Sequence, residues 1–157
     1  MSYNILTKKY EYDWPMPAIT VDCAIFRYNE NLVPEILLIK RKNPPYQGCW
    51  ALPGGFLDMN ETIEEATNRE VLEETDIDIT TQGWMKKYKL NIFDNPDRDE
   101  RQRVVSILSS VMVMSNVNGR AGDDAEEVKW FSIFSLPALA FDHEEMIKLA
   151  IRKQKIG

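Results

Sequence analysis

Glu73 and Glu74 lie three and four residues after Glu70 in a stretch rich in good helix formers. At about 100° per residue on an α-helix, Glu70 and Glu74 fall nearly in line with Ile63, and Glu73 lies on the flank beside Ala66 and Arg69. Three carboxylates therefore share one side. Like charges at these spacings each cost a few tenths of a kcal/mol, and the last turns of a helix disfavour anions further through the backbone dipole. Something must compensate for that repulsion. Carboxylate oxygens suit Mg²⁺ or Mn²⁺, which bind a few carboxylates together with substrate phosphates. The competing reading is a solvated acidic face. Two features weigh against it: the glutamates share their side with Ile63 and Ala66 instead of opposing them, and Gly54-Gly55, a turn that lets backbone approach a ligand closely, stands just upstream.

The elements that must position these carboxylates are legible around them. Thr62 and Glu65 have the spacing of a capping box, which predicts a helix over 62–75. Upstream, residues 18–26 and 35–40 are β-branched and aliphatic runs separated by the turn-rich residues 28–31, the pattern of paired strands. Pro44 and Pro45 stiffen the loop that leads into Trp50-Ala51-Leu52-Pro53-Gly54-Gly55. Strands are predicted over 84–93, 104–114 and 128–133, with a polar segment over 94–101 and an acidic loop over 122–127 between them. Asp142 and Glu145 have capping-box spacing before an apolar stripe of Met146, Ile147, Ala150 and Ile151, which predicts a second helix packed on the sheet. Strands mixed with two helices, without regular alternation, favour an α/β fold with a mixed sheet between helices.

Bulk properties narrow the function classes. A chain of 157 residues fills one core and is short for two, so a single domain over 1–157 is expected. The formal net charge of −6 makes nucleic acid a poor partner, because phosphate-backbone binding depends on clustered Lys and Arg. No run has signal-peptide character or membrane-spanning length, which makes a membrane partner unexpected and a cytoplasmic location expected. Cys23 and Cys49 lack metal-ligand spacing and read as reduced buried thiols.

Gly55, Glu61, Arg69, Glu70, Val71, Glu73, Glu74 and Ile77 match the Nudix hydrolase box, G-x5-E-x7-R-E-U-x-E-E-x-G-U with U aliphatic, over residues 55–77. The chain thus resembles the Nudix hydrolases. One fixed position departs: the last glycine of the box is Asp76 here, where a left-handed exit from the helix is required. The resemblance implies a Nudix-type α/β/α sandwich and a metal-dependent cleavage of nucleoside diphosphates linked to another moiety. Carried over by position, Glu70, Glu73 and Glu74 and the Gly54 carbonyl are the implied metal ligands, and Glu61 and Arg69 the pair that fixes the loop to the helix. For the general base, Glu70, Glu73 and the acidic-loop residues Asp124, Glu126 and Glu127 are all candidates.

Outside the box, Pro17-Ala18-Ile19-Thr20-Val21-Asp22, Leu37-Leu38-Ile39-Lys40-Arg41, Arg98-Asp99-Glu100-Arg101 and Ala140-Phe141-Asp142-His143 resemble the bacterial ADP-ribose pyrophosphatases and related ADP-ribose-sensing regulators. ADP-ribose, split to AMP and ribose 5-phosphate, is then the expected small-molecule substrate. Other Nudix substrates (NADH, a dinucleoside polyphosphate, a nucleoside triphosphate) and a non-catalytic ADP-ribose-binding regulator are the alternatives. Those regulators carry a further DNA-binding domain, for which a chain ending at Gly157 is expected to leave no room. Arg98, Arg101 and Arg103 offer planar forks to a diphosphate, or else pair with Asp97 and Asp99. Tyr46 and Trp50 suit stacking on a base or packing in the loop, and His143 suits a cap or packing role. The resemblance implies a homodimer, for which the aromatic N-terminal segment with Tyr10, Tyr12 and Trp14 offers an interface.

Overall fold

A computed structural model describes residues 2–7, 9–81, 88–122 and 125–157. The longest strand, β3 (Ala18–Tyr28), is the organising element. It runs parallel to β8 (Val104–Met112), with Ala18 beside Val104 and Phe26 beside Met112. On its other edge it shares partners. Phe26–Tyr28 pair antiparallel with Ile36–Pro34 of β4 (Pro34–Arg41), and Thr20–Asp22 pair antiparallel with β6 (Gly54–Phe56). Between these two pairings β3 and β4 part company, and the far end of β4 takes β5 (Trp50–Ala51) instead. β9 (Ala125–Ser132) pairs with the outer edge of β4, and β7 (Tyr88–Phe93) with β8. An N-terminal hairpin of β1 (Ser2–Asn4) and β2 (Lys9–Glu11) forms a separate two-stranded sheet.

Strand alternation explains the two faces. Cys23 and Ile25 of β3, with Leu37, Val111 and Val113, pack against Val71 of α1 (Ile63–Thr75) and against Ile77 and Ile79 beyond it. Their neighbours Ala24 and Phe26, with Ile36, Leu38 and Leu108, pack against Met146, Ile147 and Ala150 of α2 (His143–Gln154). Helix, mixed sheet and helix therefore form three layers, as expected. Among the described residues no helix is long and apolar enough to cross a membrane.

Both predicted helices form, with one difference in how they start. Thr62 caps α1 and its box with Glu65 is complete. Asp142 precedes α2 but makes no side-chain cap. Its carboxylate instead accepts two hydrogen bonds from Arg98, at 3.0 and 2.7 Å. A bidentate bond to a buried guanidinium is the stronger claim on those oxygens. The strand expected over 84–93 is described from Tyr88 onward, and its earlier part lies outside the described residues.

Candidate active site

Helix α1 delivers its glutamates to the loop that joins β5 to β6. Val71 anchors the buried face of the helix, and Ala66 and Thr67 continue it, so the same side carries Glu70 and Glu74 toward β6. Glu74 is itself buried, and its Oε2 accepts the Gly54 N–H at 2.9 Å. Gly55 lies against the Glu70 carboxylate, where a Cβ would collide with both carboxylate oxygens. A Cβ on Gly54 would collide with the Val21 carbonyl. Both glycines are thus required by close approach, on one side to β3 and on the other to the helix.

The self-repulsion of the glutamates is met by Arg69. Its guanidinium bonds Glu61 at 3.0 and 2.6 Å, Glu70 at 2.8 Å, Glu73 at 3.2 Å and the Phe56 carbonyl at 3.1 Å. Glu61 also accepts the Asp58 N–H. The Arg69 hydrogen bonds, helped by that backbone donor, hold the Glu61 carboxyl down to about 2. Glu70 moves the other way: burial raises its pKa, against the opposing pull of Arg69. Glu61 and Glu70, both bonded by this arginine, are therefore driven apart in acidity.

The C-terminal end of α1 has no basic residue in its last turn. Its orphan carbonyls are met by backbone instead: Arg120 N–H donates to Thr75 O at 2.8 Å and Gly122 N–H to Glu74 O at 3.1 Å. Asp76 adopts φ 57° and ψ 22°, the left-handed exit, with its N–H on Leu72 O. Aspartate thus performs the turn expected of the box glycine.

Where β3 and β4 part, a cleft of about 150 Å³ opens, and Thr20, Asp22, Arg41, Gly54, Gly55 and Glu74 are among its walls. Arg98, Asp99, Arg101, Phe141 and His143 line it as well. Arg101 forms a bidentate pair with Asp99 at 3.0 and 2.6 Å. Arg41 donates through Nε to Pro45 O and lies 5.0 Å over the Phe141 ring, with Arg101 5.6 Å from the same ring. Burial, reinforced by the nearby Arg101 charge, disfavours the charged form of Arg41. Arg41 and Phe141 stood only inside resemblance segments and drew no separate notice in the sequence; a solitary arginine at a strand end carries no signal until the strand's partner parts from it. Next to this cleft and sharing Arg98 and Phe141 is a groove of about 500 Å³, bounded by Tyr46, Phe93, Asp97 and Asp142 among others.

The expected site residues fall into three groups. Gly54, Glu70 and Glu74 meet at the β5–β6 loop, with Glu61, Arg69 and Glu73 adjoining. Arg98 and Arg101 line the cleft, Arg98 through its pair with Asp142 rather than with Asp97 or Asp99. Tyr46 borders the groove, its ring 4.7 Å from that of Phe141, while Trp50 packs on Phe131. The third group stands apart: Arg103 is exposed and donates to the Val104 carbonyl, Glu126 pairs with Lys40, and Glu127 is exposed on β9 opposite Lys40. Asp124 lies outside the described residues.

Among the described residues no three histidine, cysteine, aspartate or glutamate side chains converge in a metal-holding geometry. The donor chemistry nevertheless fits a hard divalent cation. Glu70, Glu73 and Glu74 and the Gly54 carbonyl offer oxygen only, and the missing Cβ of Gly55 lets the loop lie against the Glu70 carboxylate.

Comparison with known proteins identifies the family. A family model described as the NUDIX domain matches residues 16–150. An ADP-ribose pyrophosphatase of Methanocaldococcus jannaschii is 47% identical over 136 residues, covering 84% of this chain and 72% of that protein. A MutT/nudix family protein from Enterococcus faecalis superposes with a TM-score of 0.80 at 32% identity, covering 94% of this chain and 65% of that one. The NUDIX domain of Shewanella oneidensis NrtR, in complex with ADP ribose, superposes at 0.79 with 27% identity, covering 95% and 96%.

Proposed function

The chain belongs to the NUDIX family, and from that premise we propose that it is a metal-dependent pyrophosphohydrolase that splits ADP-ribose into AMP and ribose 5-phosphate. The observation that carries the reading is one cleft that brings three arginines, Arg41, Arg98 and Arg101, beside the glycine loop and Glu74. Burial and a neighbouring cation both work against the charge on Arg41, a conflict that an anion bound between the arginines relieves. A diphosphate has the charge and the shape for guanidinium forks. The ADP-ribose choice draws on the 47% identity to an ADP-ribose pyrophosphatase and on the likeness to a domain solved with ADP ribose.

Family membership implies a divalent metal, and Mg²⁺ or Mn²⁺ is the proposal here, held by Glu70, Glu73, Glu74 and the Gly54 carbonyl. Bound there, such a cation neutralises the diphosphate and lowers the pKa of an attacking water. The residues of the chain do the rest. Arg101, with Arg98 as a further donor, orients the phosphates, while Arg103 stands apart from the cleft; Tyr46 beside Phe141 offers an aromatic surface to the base or sugar. Glu70 and Glu73 are the proposed groups for accepting the proton of the nucleophile, since Glu127 stands apart from them on β9. Glu61 and Arg69 hold the loop to the helix. The two free cysteines accord with a reducing cytoplasm, and residues 1–157 are proposed to act as one domain, paired as a homodimer.

A second reading, a binder of ADP-ribose that does not cleave it, is favoured by the likeness to the NrtR domain. Product analysis by mass spectrometry separates the two. ADP-ribose, NADH, a dinucleoside polyphosphate and a nucleoside triphosphate are each incubated with the protein and Mg²⁺ or Mn²⁺, with and without chelator. Hydrolysis of ADP-ribose to equal AMP and ribose 5-phosphate, abolished by chelator, is expected. ADP-ribose bound but returned intact would select the second reading.

A further inference from the structure

Buried polar groups that the proposed chemistry leaves unused gather beside the loop of residues 52–54. His143, the only histidine of the chain, is 5% exposed and begins α2. Its Nδ1 accepts the N–H of Leu52 at 2.9 Å, so the neutral ring carries its proton on Nε2. Nε2 faces Asp22 Oδ1 at 3.7 Å, and the other oxygen of Asp22 accepts the Ser106 hydroxyl. Burial keeps the imidazole below its ordinary pKa, against the attraction of Asp22 and Asp142, which preserves the Nδ1 lone pair as an acceptor.

The next two residues of the loop are fixed as well. Pro53 O accepts the Cys23 N–H at 2.9 Å, and Gly54 N–H reaches Glu74 at 2.9 Å. Three consecutive residues are therefore held by three elements: α2 through His143, β3 through Cys23, and α1 through Glu74. Of the three, only the imidazole is a side chain recruited from the opposite face of the sheet. Leu52 is fully buried, so removing the acceptor strands an amide with no water to replace it.

We infer that His143 is a positioning residue for the metal site, setting the backbone of residues 52–54 and, through it, the Gly54 carbonyl and the Glu74 carboxylate. The inference rests on the proposed metal role of those two groups. It assigns to the start of α2, on the far side of the sheet from α1, a part in the geometry of the glutamate cluster.

The test is Mn²⁺ binding without substrate, read by the electron paramagnetic resonance of free Mn²⁺ during titration of the full chain. His143→Phe keeps a ring but removes the acceptor, and His143→Asn places a carbonyl oxygen near the position of Nδ1. The expected result is Mn²⁺ affinity weakened about tenfold or more in the Phe variant and restored to within about threefold of wild type in the Asn variant. Wild-type affinity in a folded Phe variant overturns the inference. Should the Phe variant fail to fold, the Asn variant decides: affinity kept is the expected result, and affinity lost despite an unchanged fold overturns it. Glu74→Gln, titrated alongside, separates the premises. If it binds Mn²⁺ like wild type, the metal-site reading fails and the inference with it; if it loses Mn²⁺ while the Phe variant keeps it, only the role of His143 falls.

Discussion

Arg69 divides one guanidinium among Glu61, Glu70, Glu73 and a backbone carbonyl, and thereby converts a self-repelling helix face into a connected one. Arg69→Ala leaves those carboxylates facing each other. A loss of about 1–3 kcal/mol is expected from urea unfolding at neutral pH, since hydrogen bonds to charged groups are at stake and the site is partly open to water. Glu61 yields a pH signature with a definite sign. Its folded pKa of about 2 lies below the ordinary glutamate value of 4.5, so its contribution is complete above 4.5 and is lost as pH falls through about 2. In Glu61→Gln the unfolding midpoint in urea is expected to depend less on pH between 4.5 and 2 than in wild type; an unchanged slope would contradict the assignment. At this scale the sequence was most informative, because the box residues all lie within one short stretch, 55–77, centred on one helix. Arg98 shows where it stopped. Its partner Asp142 lies 44 residues away, and local spacing suggested Asp97, Asp99 and a cap instead.

The start of α1 was legible because a capping box is a local code, whereas its end is secured by the segment 119–122 from elsewhere in the chain. Nothing in the spacing of Gly119 or Gly122 announces that role. A Cβ at Gly122 would collide with the Glu73 carbonyl, so Gly122→Ala is expected to cost about 3 kcal/mol, read as a lower melting temperature, and to disturb the glutamate end of the helix as well. Asp76 is the opposite case. It already occupies the left-handed region, and glycine does so without the Cβ penalty. Asp76→Gly is expected to stabilise by up to about 1 kcal/mol, or about 2–4 °C in melting temperature, with turnover retained. A destabilised Asp76→Gly would mean that the aspartate side chain does more than tolerate the turn.

Over the whole molecule, the layer arrangement followed from element types and apolar stripes, but the strand order did not. The parallel pairing of β3 with β8 joins residues more than 80 positions apart, and the parting of β3 from β4 that opens the cleft depends on β5 and β6, each too short to stand out. The N-terminal hairpin, too, is illegible in the sequence, its two strands being three residues each. Around and after it, Leu6, Trp14 and Met16 are largely exposed, with Trp14 at 79%. Exposed apolar groups clustered along one segment suit an interface. Sedimentation is therefore expected to give twice the 18.2 kDa mass of one chain, and Trp14→Ser to shift the population toward monomer. A wild-type monomer at high concentration would rule out the proposed pairing. The central claim, that the α1 glutamates hold a metal with which the chain hydrolyses a diphosphate, is tested most directly by AMP release from ADP-ribose at saturating Mg²⁺, wild type against Glu74→Gln. Release by wild type, reduced by more than about 100-fold in a variant of unchanged circular dichroism, is the expected result; equal release by both proteins would contradict the account.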